Sequence, residues 1–334
     1  MVFKAIYSDR HFQNWPSWQL VFEWEDEISK RMNIPILNSP IPKTKVEKLI
    51  SAFFLKYFKN DFTSYNFKFL LDSKKYLYFE MILRKNKSFS NSKKVIPIII
   101  DFWKSESVKE FEDNYKRSTF VLISSLEVLY YLKSAGCNLK LYHFPLSLPD
   151  SYYLSPSTVF KKKIDVIVTG IRNPILWKFL KKYEKQNPQI EYYFQEKIDS
   201  ILYYRSNKNK ELINIQSREA YVNLIRQARV ALYATPGIDG GEKRTGGFNQ
   251  ITPRFLEFLA AGCHVVARYP NNEESEYYQM NTICTNVETY TDFKQQLDEI
   301  FSSDIQPIVR NSEYLKNHYT TVKIDHFLKT ILNE

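Results

Sequence analysis

The sequence predicts an α/β protein of two Rossmann-like halves, and three observations carry that expectation. From residue 95 onward, short β-branched runs alternate with helical apolar spacing, the mark of a mostly parallel sheet. The alternation pauses at Pro145, Pro149 and Pro156, interspersed with Ser147, Ser151, Ser155 and Ser157, and then restarts. At 334 residues the chain is also long enough for two domains of ordinary size. The boundary is therefore set near residue 150, giving halves over 1–150 and 151–334, with a last helix that could pack back on the first half. Two such halves would face each other across a cleft, with ligands at the C-terminal ends of the strands.

In the first half, Val2–Tyr7 reads as a buried strand followed by the polar loop Ser8-Asp9-Arg10-His11. Pro16 opens a helix whose Trp18, Val21, Trp24 and Ile28 share one face, while Glu25-Asp26-Glu27 reads as its solvated side. Lys45–Lys59 looks helical. Tyr76–Leu83 and Val95–Ile100 read as strands, the second ending at Asp101. Phe120–Ile123 (strand), Leu126–Lys133 (helix) and Leu139–His143 (strand) complete the half. The second half opens with strand Ile164–Thr169, a turn from Gly170 to Asn173 and helix Pro174–Glu184. Strand Ile190–Phe194, helix Ser217–Arg229 and strand Val230–Ala234 follow. Thr252–Ala261 reads as helix, and His264–Ala267 and Thr282–Thr285 as strands. An amphipathic helix marked by Phe293, Leu297, Ile300 and Phe301 and helices near 308–317 and 322–332 close the chain.

Composition narrows the function. Apolar residues make up 44% and charged residues 25%, which excludes a disordered or fibrous chain. Lys and Arg outnumber Asp and Glu 47 to 37, a surplus suited to phosphorylated ligands, anionic lipid or nucleic acid. Cys137, Cys263 and Cys284 are odd in number and lack CxxC spacing, so neither a disulfide framework nor a zinc site is expected, and a reducing cytoplasm is. The apolar run at the start is too short for a secretory leader. No run approaches the ~18 apolar residues that span a bilayer, so any membrane contact would be peripheral.

Glycine locates the chemistry. Six of the eight glycines fall between Gly237 and Gly262, directly after a strand, with Lys243 and Arg244 among them. The segment enters a helix through Thr252-Pro253, an N-cap followed by a proline at the first helical position. Such an end offers unpaired N–H groups and a partial positive charge. Arg254 in that first turn is electrostatically misplaced unless an anion is near. The pattern reads as a diphosphate cradle of amides with Arg254, Lys243 or Arg244 as counter-charges, against the plainer reading of a basic surface loop. A second joint repeats the logic: Gly170 ends a strand, Arg172 follows, and Asn173-Pro174 opens a helix. Neither joint is GxxxxGK[ST] or GxGxxG, and no strand ends in Asp-x-Asp. No metal and no bound cofactor are therefore expected.

Arg254-Phe-Leu-Glu257-Phe-Leu-Ala-Ala-Gly262-Cys-His-Val-Val-Ala267 resembles the core of the "glycosyl transferases group 1" superfamily of GT-B glycosyltransferases, where a helical Glu precedes Ala-x-Gly and a buried strand. The likeness covers 230–270 in sequence and about 160–334 in layout; the first half is similar only in its β/α character. It implies a GT-B fold in which Glu257 bonds the donor ribose, Arg254 and the amides near Thr252 hold the diphosphate, and Gly170 and Arg172 form the facing phosphate loop. The nucleotide sugar would be a substrate, and the acceptor a glycan or lipid-linked glycan of cell-surface polysaccharide synthesis at an anionic inner leaflet. Many retaining members carry a second Glu where this chain has Asn249, so the stereochemical course stays open. An inverting path needs a general base from the first half, for which His11 and Asp101 are the candidates by placement at strand ends. Two rivals stand beside this reading. One is a non-catalytic scaffold of the same fold, which Asn249 favours. The other is a nucleic-acid binder, which the charge allows but no recognised motif supports.

Overall fold

In a computed structural model of the chain, the described residues are 3–11, 13, 16–39, 49, 74–82, 92–103, 106–199, 201–209, 211–215, 217–303 and 305–332. The helix expected over Lys45–Lys59 lies, Leu49 apart, outside them. The chain divides into two compact units, Met1–Pro145 with Lys323–Glu334, and Leu146–Val322. Each is a Rossmann-like α/β unit, the element that a GT-B fold uses twice.

The first unit runs β1 (Phe3–Ser8), α1 (Pro16–Met32), β2 (Ile36–Asn38), β3 (Lys75–Ile82), β4 (Val95–Asp101), α2 (Val108–Tyr115), β5 (Val121–Ile123), α3 (Leu126–Ser134) and β6 (Leu141–His143). Its strands form one parallel sheet in the order β2-β1-β3-β4-β5-β6. The near-continuous apolar runs of β1 and β4 are what a sheet covered on both faces requires. Trp18, Val21, Trp24 and Ile28 of α1 are all buried, with Trp24 stacked 6.1 Å from Phe79. Ser107 and Ser125 cap α2 and α3 through their hydroxyls, in accord with their β-region backbones.

The second unit runs β7 (Ile164–Val168), α4 (Pro174–Gln186), β8 (Tyr192–Ile198), β9 (Ile201–Ser206), β10 (Leu212–Asn214), α5 (Arg218–Arg226), β11 (Ala228–Ala234), α6 (Pro253–Ala260), β12 (His264–Arg268), α7 (Glu273–Tyr277), α8 (Met280–Ile283), α9 (Tyr290–Ser302) and α10 (Ile308–Leu315). Helix α11 (Thr320–Leu332) begins in this unit, and its residues from Lys323 on belong to the first, where Phe327 meets Phe144 and Phe3. The sheet order is β10-β9-β8-β7-β11-β12. Alternation along its strands separates two cores. Val166, Val168, Val230, Leu232 and Val266 face α4 and α9, while Ile167, Ala231, Val265 and Ala267 face α6 and α10.

One expected strand fails here. Thr282–Thr285 is not a strand: Met280 and Ile283, three apart, bury one face of the short helix α8, and only Asn286 bridges to β12. The second sheet is mostly parallel, as expected, and strands β9 and β10, which the sequence reading did not mark, extend it as an antiparallel meander. Among the described residues, no helix is long and apolar enough to cross a membrane.

Candidate functional site

In the second sheet the chain leaves β7 for β8 on one side and later returns to β11 on the other. The crevice between the C-terminal ends of β7 and β11 is therefore the switch point where such sheets bind ligands. Thr169 and Gly170 stand at the end of β7. Gly170 has φ +70°, and a Cβ built on it would lie 1.7 Å from Nη1 of Arg254. That same Nη1 donates to the Thr169 carbonyl at 2.9 Å. The Gly170 N–H donates to Gln195 Oε1 of β8 at 2.8 Å. The structure thus brings Gly170 and Arg254, 84 positions apart, into contact at one joint.

Asn173 caps α4 by accepting from the N–H groups of Ile175 and Leu176, both at 3.0 Å. Its Nδ2 donates to Asp239 Oδ2 at 2.9 Å, and Asp239 takes a two-pronged bond from Arg268 at 2.5 and 2.8 Å. The Arg268 guanidinium holds the Asp239 carboxyl below its ordinary range. This chain of bonds ties the glycine-rich loop to the Gly170–Asn173 joint. Asn249 braces the loop from within, accepting from Thr235 Oγ1 at 2.8 Å and donating to the Gly247 carbonyl at 2.7 Å.

Arg254 stands in the first turn of α6, behind Thr252. Thr252 has the extended backbone of an N-cap, but its side chain makes no capping bond. Its N–H instead donates to Tyr233 Oη at 3.0 Å. A small pocket opens here, lined by Thr169, Ile171, Asn173, Trp177, Tyr233 and Arg254 among others. Thr169 Oγ1 is buried and has no hydrogen-bond partner, which leaves a donor for a ligand. Arg172 is exposed, with its guanidinium over the Trp177 ring (4.8 Å) and Phe194 (5.4 Å). It borders the pocket through Trp177. Lys243 and Arg244 lie exposed on the turn Lys243–Thr245, and neither lines the pocket; Arg244 pairs with Glu242 at 3.3 Å.

Glu257 lies one turn further along α6, buried, with Oε1 accepting from Arg218 Nη2. Tyr204 and Tyr221 belong to the same buried polar cluster: burial first, and then Glu257, raises both hydroxyls, and Tyr221 Oη makes no hydrogen bond. Sequence reasoning missed Arg218, although the signal was there. Ser217 is an N-cap, so Arg218, like Arg254, is a cation in a helix's first turn.

The switch point of the first sheet falls between β1 and β3. His11 sits half-buried in the turn after β1, and Asp101 is the half-buried last residue of β4. Both lie at the C-terminal edge of that sheet, with β3 between their strands. Asp9 beside them is fully engaged, accepting from Ser39 Oγ at 2.5 Å and Tyr78 Oη at 2.9 Å. Glu25 corrects the reading of a solvated acidic face. It is buried, accepting from Ser8 Oγ at 2.5 Å and Arg10 Nη2 at 3.1 Å, and burial pushes its carboxyl up to about 7. His318 is buried between the rings of Tyr278 and Tyr314. Among the described residues, no three His, Cys, Asp or Glu side chains are grouped to hold a metal ion.

No known family model matches the chain, and no curated protein matches it. Solved structures do. The pneumococcal O-GlcNAc transferase GtfA, crystallised with UDP and GlcNAc, is similar at 10% identity and TM-score 0.49 over 82% of this chain and 60% of its own. Anabaena HepE with UDP-glucose is similar at 8% identity and TM-score 0.49 over 100% and 99%. A Listeria monocytogenes putative UDP-N-acetylglucosamine 2-epimerase is similar at 8% identity and TM-score 0.47 over 99% and 95%. The chain spans about three fifths of the length of the GtfA structures it matches.

Proposed function

We propose that the second unit binds the nucleoside diphosphate of a sugar nucleotide and that the protein is a glycosyltransferase. The observation that carries this is the Gly170–Arg254 joint: a guanidinium, a glycine that leaves backbone open and the N-terminus of α6 meet at the switch point of a parallel sheet. In glycosyl transfer, negative charge develops on the leaving diphosphate as the anomeric C–O bond breaks. A fixed guanidinium and preoriented N–H dipoles stabilise that charge without reorganising. Arg254 would take this part, with Thr169 Oγ1 and the Arg254 N–H beside it. Arg172 would swing from Trp177 to the phosphates, and Glu257, with Oε1 on Arg218, would keep Oε2 for a ribose hydroxyl. Lys243 and Arg244 would add field strength from the loop. His11 or Asp101 would accept the proton of the attacking hydroxyl, at the C-terminal edge of the first sheet. The acceptor we assign is a glycan or lipid-linked glycan.

A second reading, a sugar-nucleotide-binding scaffold without activity, is favoured by Asn249. Its side chain is spent on Thr235 and the Gly247 carbonyl rather than offered to a donor.

A thermal-shift screen of UDP, GDP, CMP and their sugars tests the proposal. One nucleotide should raise the melting temperature with the concentration dependence of mass action, and Arg254→Ala should abolish the rise while still folding. A variant that keeps wild-type nucleotide affinity would refute the assigned diphosphate position. Release of nucleoside diphosphate from the matching sugar separates enzyme from scaffold.

A further inference from the structure

The opposite, N-terminal edge of the second sheet gathers a different set of side chains. Lys161, Lys162 and Lys163 lead into β7, Arg226 ends α5, Arg229 begins β11, and Arg310 stands on α10. Three of these cations are fixed by packing. Lys162 Nζ donates to the Ala261 carbonyl at 2.8 Å, Arg226 lies over Phe160 at 5.4 Å, and Arg229 Nη2 donates to the Ser303 carbonyl at 2.9 Å. Lys161, Lys163 and Arg310 are exposed. After burial itself, the fields of Arg310, Lys162 and Arg229 hold His264 below its ordinary range, so these charges converge on one region. Glu299, which lines an adjoining pocket with Arg310 and His264, is an acidic neighbour.

Large aliphatic side chains stand out of the same face. Val159 is 82% exposed, Ile305 75% and Val309 67%. Gln306 joins their segments, accepting from the Phe160 N–H at 3.2 Å and donating to the Phe160 carbonyl at 2.7 Å. Ile308 and Phe160 both close over Gly262, where an added Cβ would meet them at 2.5 and 2.8 Å. Residues 159–161 and 305–310 therefore form one continuous patch, apolar at three tips and basic around them.

We propose that this patch docks the protein on an anionic lipid bilayer, with Val159, Ile305 and Val309 entering the headgroup boundary and Lys161, Lys163 and Arg310 meeting lipid phosphates. Aliphatic tips ringed by cations match an interface where acyl chains lie just beneath negative charge. A nucleic acid would be met by open aromatic faces, whereas Phe160 and Phe301 are covered here by Arg226 and Arg229. A second copy of the chain would set these cations against one another. The docking face lies at the sheet edge away from the Gly170–Arg254 joint, and its assignment does not rest on the nucleotide reading.

The test is flotation of the full chain with phosphatidylcholine vesicles, with and without phosphatidylglycerol. The wild type should float with the anionic vesicles, and high salt should release it. Ile305→Asp with Val309→Asp, and separately Lys161→Glu with Lys163→Glu, should each lower the bound fraction about tenfold. Melting curves of these variants should match the wild type, which separates lost docking from lost folding. Failure of the wild type to float, equal flotation of the variants, or a wild-type dimer that the aspartate variants dissolve would each overturn the proposal. A missing melting-temperature shift with every nucleotide and sugar nucleotide of the screen would sink the nucleotide reading alone.

Discussion

Nη1 of Arg254 occupies the space where a side chain on residue 170 would begin, 1.7 Å from the position of a Cβ. The glycine is thus required twice, by its φ of +70° and by the guanidinium above it. Gly170→Ala should lose about 1–3 kcal/mol to backbone strain and, in addition, push Arg254 off the Thr169 carbonyl. In an Arg254→Ala background only the strain remains. A double-mutant cycle by urea unfolding should therefore show Gly170→Ala to be less harmful in that background, with a coupling of about 0.5–3 kcal/mol. Additive losses would mean that the contact carries no energy.

Asp239 gives the loop an acid-sensitive clasp. Arg268 lowers its folded-state pKa, so the clasp contributes stability above the unfolded value of about 3.9 and loses it as pH falls through the lower folded value. Asp239→Asn removes the ionic part of the bond to Arg268 and should cost about 1.5–3 kcal/mol near neutrality. The variant should also unfold with a shallower acid limb than the wild type. Identical slopes below pH 4 in the two proteins would remove Asp239 from the linkage.

What could be read from the chain divides along physical lines. The β/α alternation was legible because strands buried on both faces, such as Val95–Ile100, are apolar without interruption. Gly170 and Arg254 were conspicuous for local reasons, a strand-end glycine and a cation in a helix's first turn; that they touch is a long-range fact no local pattern encodes. The β9–β10 meander was missed because Arg205, Ser206 and Asn207 break the apolar signal while pairing through backbone and polar side chains. Thr282–Thr285 misled because β-branched residues favour strands, and the burial of Met280 and Ile283 on one helical face overrode that preference. Glu25 was unreadable for a related reason, since the Ser8 hydroxyl and Arg10 guanidinium that receive it come from the end of β1 and the turn after it, outside its own helix.

Glu25 should make neutral pH unfavourable for the first unit. Its folded-state carboxyl titrates at about 7, while the unfolded one titrates at about 4.3, so the folded chain holds a proton that the unfolded chain releases in between. Stability attributable to this group therefore falls as pH rises from about 4.3 to about 7 and is level above that, a loss of at most about 4 kcal/mol. Glu25→Gln keeps an acceptor for Ser8 and never ionises. Denaturant unfolding of the variant should show greater stability than the wild type at pH 8 and little difference at pH 4. Equal values across the range would mean that Arg10 compensates the buried charge in full.

Arg218 and Glu257 form a largely buried pair, with side chains 14% and 4% exposed. Removing one member strands the other, so Arg218→Ala should cost about 3–5 kcal/mol, more than any surface ion pair in this chain. Arg218→Met with Glu257→Leu removes both charges and refills the space, and should be markedly more stable than either single variant. The pair also lies beneath the proposed donor site, next to the buried hydroxyls of Tyr204 and Tyr221. If Glu257 bonds a ribose hydroxyl, the double variant should fold and yet bind the nucleotide that stabilises the wild type about 10–100-fold more weakly. Unchanged nucleotide affinity in that well-folded variant would confine Glu257 to a structural role and leave ribose recognition to another residue.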